Sequence, residues 1–138
     1  MLRSSILRAL LLLAPLAAAC GDDDVSNLPS VPTPVAVTEQ FPGDLNPNGG
    51  RTHPFIVLQT GAVSAKLTAL SPDDTLTVGL SLGTWNGVTC QIIIANDAAT
   101  LNSTAIGTAQ QTGQFCVRIY DIGKLTSSIN YQIDVTHF

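Results

Sequence analysis

Apolar and polar positions alternate through most of the chain beyond residue 50. Phe55 and Val57 fall on one face, Ile56 and Leu58 on the other. Val63, Ala65, Leu67 and Ala69 alternate with Ser64, Lys66 and Thr68; Leu76, Val78, Leu80 and Leu82 alternate with Thr77, Gly79 and Ser81. The same period recurs in Phe115/Val117/Ile119 and in Ile129/Tyr131/Ile133/Val135. Period two over runs of four to eight residues predicts half-buried strands. Turn-forming clusters separate them: Pro47-Asn48-Gly49-Gly50, Gly61, Ser71-Pro72-Asp73-Asp74, Asn86-Gly87, Asn96-Asp97, Gly113 and Asp121 to Gly123. The stretch Ala98 to Gln111 reads as a loop followed by one strand over Thr104 to Gln110. No segment beyond residue 25 carries a helical period. The expected fold is all-β, an antiparallel β-sandwich, spanning about residues 38–138, a usual size for that architecture.

Asn86-Gly87 predicts a two-residue type I′ hairpin, which needs positive φ at both central residues. Trp85 then faces Val88, Gly83 pairs with Cys90, Ser81 with Ile92 and Gly79 with Ile94. Cys90 falls on the face opposite the Leu76–Leu82 stripe, and Cys116 on the face opposite Phe115/Val117/Ile119. Ile92 and Ile94 share the outer face, so a covering segment is expected, either the chain before residue 38 or Ala98–Gln111, with Trp85 left as the main exposed aromatic.

The first twenty residues are of another kind. Arg3 and Arg8 precede an apolar run from Ala9 to Ala19. Eleven residues are too few to span a bilayer core, which takes about 20, so the segment reads as an export signal. Its end, Leu16-Ala17-Ala18-Ala19-Cys20, resembles the bacterial lipobox. That resemblance implies a signal peptide over residues 1–19 and a lipid on Cys20; Gly21, in place of aspartate, favours the outer membrane. Asp22 to Asp24 and the prolines at 29, 32 and 34 give residues 20–37 the character of a solvated, extended tether.

The chain of 138 residues has 12% charged residues and six basic against ten acidic ones. Without the signal, four basic residues face ten acidic ones, a net charge of −6. Such a surface repels a phosphate backbone and excludes nucleic acid as a partner. Of three cysteines, one is taken by lipid, leaving Cys90 and Cys116 as a pair in an oxidising compartment, a structural disulfide between neighbouring strands.

Ser71-Pro72-Asp73-Asp74-Thr75-Leu76-Thr77-Val78-Gly79-Leu80, Ala95-Asn96-Asp97, Gly113 through Asp121 (GQFCVRIYD) and Asn130 through Thr136 (NYQIDVT) resemble the bacterial pre-peptidase C-terminal domain over about residues 50–136. The resemblance implies a jelly-roll-like sandwich; such domains accompany exported enzymes, and some of the domains bind calcium, carbohydrate or collagen.

Candidate chemistry is sparse. His53 and His137 have no sequence-local base, nucleophile or metal-ligand partner, so no enzyme is expected and no cofactor is called for. Asp73, Asp74, Asp97 and Asp121 flank strand ends and make calcium the one metal to consider, against the ordinary use of such residues as turn makers. Trp85, the single tryptophan, offers a flat apolar face for a sugar ring. The expected function is a non-catalytic, lipid-anchored module of the bacterial outer membrane that binds a carbohydrate or an envelope protein. The alternative is a structural or assembly component that uses the isoleucine face.

Overall fold

The computed structural model describes residues 31–138, of which Thr33–Phe138 form one compact unit. The signal segment, Cys20 and most of the tether lie outside the described residues. Among the described residues eight strands follow one another without a helix: β1 (Val37–Leu45), β2 (Gly50–Val57), β3 (Gly61–Ser71), β4 (Val78–Trp85), β5 (Cys90–Ala99), β6 (Thr104–Ala109), β7 (Gly113–Tyr120) and β8 (Ile129–His137). They form two four-stranded antiparallel sheets, ordered β1-β8-β3-β6 and β2-β7-β4-β5.

The alternation read from the sequence sets what each sheet buries. Val63, Ala65 and Leu67 of β3 point inward with Ile133 and Val135 of β8, against Leu80 and Leu82 of β4 and Val117 and Ile119 of β7. Burying each large aliphatic side chain stabilises by about 1.5–3 kcal/mol, so a one-residue slip of a strand would forfeit a whole stripe. β1 is an edge strand, where Pro42 lacks a donor at no cost to a second neighbour.

The β4–β5 hairpin departs from the expected register. Asn86 has no positive φ; that conformation falls on Gly87 alone (φ +93°). The Asn86 carboxamide oxygen accepts the backbone N–H groups of Val88 and Thr89 at 2.9 and 2.8 Å, and Asn86 N donates to the Thr89 carbonyl. Gly87 and Val88 therefore form the centre of the turn, with glycine first, as in II′-type hairpins. Moving the turn by one residue moves the register by two: Trp85 pairs with Cys90 and Gly83 with Ile92. A bulge between Leu82 and Gly83 then inserts one extra residue on β5, so Leu82 pairs with Ile94.

That bulge corrects the expectation for the isoleucines. It turns Ile94 inward, where its Cδ1 lies against Gly107 of β6. Ile92 and Ile93 stay 43% and 67% exposed, and no described segment covers them. Asn96-Asp97, expected as a turn, lies inside β5, which passes through on a second irregularity between Val78 and Leu80. The turn comes at Thr100–Ser103, with Asn102 at φ +69°.

Candidate functional site

The disulfide organises the outer face of the β2-β7-β4-β5 sheet. Cys90 and Cys116 are bonded, with Cα atoms 5.8 Å apart, inside the range a bridge requires. They belong to β5 and β7, which are not neighbours but flank β4, so the expectation of a bridge between adjacent strands is corrected. Gly83 makes the crossing feasible. A Cβ there would stand 2.1 Å from the Gln91 carbonyl oxygen, so the start of β5 leans over β4 at a residue with no side chain. The bulge supplies the bend.

The rest of this face is built from β7. Arg118 stands opposite Thr52 of β2 and Ser81 of β4. Ser81 is buried beneath it, with its hydroxyl directed at the Arg118 carbonyl oxygen. The Arg118 guanidinium lies 5.5 Å from the centre of the Tyr120 ring, which in turn covers Gly79. The Tyr120 hydroxyl donates to Asp97 Oδ1, and burial followed by that bond pushes its pKa up to about 12.

Between these groups and the hairpin tip lies an open cleft of about 310 Å³. Its walls are Trp85, Val88, Thr89 and Cys90 on one side and Gly50, Thr52 and Arg118 on the other. Trp85 is half-buried, with part of its indole facing the cleft. The volume is at the lower end of small-ligand sites, which run from ~300 to 1,000 Å³. Sequence reasoning found Trp85 but not its partner Arg118; the available signal was that Arg118 shares a face with Cys116.

The four aspartates do not converge. Asp73 Oδ1 accepts the Thr75 amide and hydroxyl at 2.9 and 2.6 Å, which hold its carboxyl below the usual range. Asp121 accepts the amides of Gly123, Lys124 and Leu125 with one oxygen and that of Asn48 with the other. Slight burial pushes Asp121 up, but these four donors outweigh it and leave the carboxyl below its ordinary value. Asp97 is engaged by Tyr120, and Asp74 is exposed in the β3–β4 loop. Among the described residues no group of three metal-ligating side chains could hold an ion; Asp73 and Asp121 act as turn makers and Asp97 as a phenol acceptor.

The histidines point between the sheets, away from the cleft. His137 is buried, stacked on Phe55, and donates from Nε2 to Glu39 Oε1 at 2.8 Å. His53 stacks on Phe41 and shares a 2.7 Å hydrogen bond with the Tyr131 hydroxyl. Burial, then the nearby Arg51 charge, lowers the His53 pKa, and burial pushes Tyr131 up to about 12. Both histidines are satisfied packing groups.

No protein-family model matches the chain, and no curated protein matches it in sequence. In three dimensions it is similar to the Yersinia pseudotuberculosis-derived mitogen, with a TM-score of 0.56 and 17% identity over 75% of this chain and 88% of that one. It is also similar to Aeromonas hydrophila PliG, a periplasmic inhibitor of g-type lysozyme, with a TM-score of 0.54 and 11% identity over 72% of this chain and 85% of that one. At such identities the likeness concerns the β-sandwich fold.

Proposed function

We propose that this chain is a non-catalytic binding module of the bacterial outer membrane, anchored by lipid on Cys20, whose ligand is a saccharide held in the Trp85 cleft. The observation that carries the reading is the cleft's composition. A half-buried indole stands beside the Thr52 and Thr89 hydroxyls and a guanidinium, which is the pairing of a flat apolar face with directional polar groups that sugar rings need. Secretion is supported by the basic start, short apolar core and Ala-Ala-Ala-Cys ending, by the disulfide and by the fold shared with a periplasmic inhibitor. The resemblance to pre-peptidase C-terminal domains favours an accessory role.

A carbohydrate array probed with the wild-type domain and with Trp85→Ala tests the reading. The expected result is a set of saccharide signals that the variant loses while it stays folded. Identical profiles, or no signal on any saccharide, would overturn it. A second reading has its own observation: Ile92 and Ile93 are exposed side by side on the edge strand β5. In that reading the domain is a structural or assembly component that docks on an envelope protein through this edge, and Ile93→Asp rather than Trp85→Ala abolishes association.

A further inference from the structure

We infer that the saccharide bound in this cleft is acidic: the Trp85 indole takes a sugar ring and the Arg118 guanidinium takes a carboxylate that the sugar carries. The inference rests on the saccharide reading above and adds the charge of the ligand.

Arg118 is held in place yet has no acceptor. Its guanidinium lies over the Tyr120 ring on one side. On the other it lies against Gly50, where a Cβ would come within 2.8 Å of Nη2. Two strands therefore fix its orientation by packing. Among the described residues it makes no ion pair and donates no side-chain hydrogen bond; the Ser81 hydroxyl is directed at its backbone carbonyl, not at the guanidinium. By contrast, Arg51 donates from Nε to the Asp44 carbonyl.

The neighbourhood keeps the guanidinium free. Its cross-strand partners are Thr52 and Ser81, neither of them a carboxylate. Asp97, the carboxylate of the edge strand β5 on this side, is taken by the Tyr120 hydroxyl. Every buried side-chain nitrogen and oxygen among the described residues has a partner, so the unpaired N–H groups of Arg118 are reached by solvent.

A planar fork with fixed orientation matches a carboxylate through two parallel hydrogen bonds. A neutral sugar stacked on Trp85 would displace water from the fork without replacing it by an anionic acceptor, and a donor left so costs affinity. The cleft should therefore discriminate an acid from its own ester.

The test uses the fluorescence of Trp85, the single tryptophan, in the folded, oxidised domain. The probes are glucuronic, galacturonic and N-acetylmuramic acid saccharides, each beside its methyl ester. The expected result is that at least one acid binds about tenfold or more tighter than its ester. Arg118→Gln, checked for folding by thermal melting and for its disulfide by thiol titration, should bring acid and ester to equal affinity. Arg118→Lys should keep only part of the preference, because an ammonium lacks the fork. Equal binding of acid and ester to the wild type would overturn the acidic inference and leave the saccharide reading standing. Absence of any fluorescence change, with no saccharide signal on the array, would overturn both.

Discussion

A single missing side chain at Gly83 decides how the outer face is assembled. A methyl group there would meet the Gln91 carbonyl, which is backbone and cannot rotate aside. Gly83→Ala should cost about 1–3 kcal/mol or more by overpacking. It should also leave Cys90 and Cys116 reduced in a fraction of molecules, read by thiol titration after unfolding. The two tyrosines of the chain are Tyr120 and Tyr131, and both are pushed up to about 12. Their absorbance titration should show no phenolate step near pH 10 while the domain is folded. Because the folded values lie above the unfolded ones, this contribution to stability is complete below about pH 10 and is lost as pH rises through 12. Gly79→Ala, which would displace the Tyr120 ring from its seat, should return one tyrosine toward pH 10. His53 has the opposite sign at acid pH. Its folded pKa is depressed by burial and by Arg51, so its contribution is present above about pH 6.5 and lost as pH falls below that value. Urea unfolding between pH 7 and 5 should show a shallower loss of stability in His53→Gln than in the wild type.

At the level of elements, strand positions were legible because alternation is local. The five alternating stripes of the sequence correspond to β2, β3, β4, β7 and β8, and the strand expected over Thr104 to Gln110 is β6. Register was less legible. Asn86-Gly87 signals a turn, but which residue pair occupies its centre depends on whether the asparagine side chain caps the loop, and here it does. The bulge that turns Ile94 inward depends on Gly107 in the other sheet, which no local pattern reports. The cysteine pairing was legible from parity and count, while its crossing of β4 was not, since that depends on the bulge. The bridge closes a 26-residue separation, worth about 3–3.5 kcal/mol on the chain-entropy estimate. Reduction should lower the melting temperature by on the order of 15 °C. The fold should persist, because the inward stripes of both sheets do not depend on the bridge.

Taken whole, the molecule keeps its histidines inside and its chemistry on one outer face. The interior is closed by aliphatic stripes and by two satisfied histidines, His53 and His137. The pairing of His137 with Glu39, 98 positions apart, lay beyond any sequence-local reading, as did the meeting of Trp85 with Arg118 and Thr52. Trp85 alone stood out, being the single tryptophan at a turn signal. The central claim is that the cleft beside Trp85, and not the isoleucine edge of β5, is the surface this domain uses. Amide and indole NMR shifts during titration with the saccharide that scores highest on the array test it most directly. The account predicts that the Trp85 indole N–H and the amides of Gly50, Thr52, Thr89 and Arg118 move together. Shifts confined to Ile92–Ile94 and Ile106, with the Trp85 indole unmoved, would contradict it.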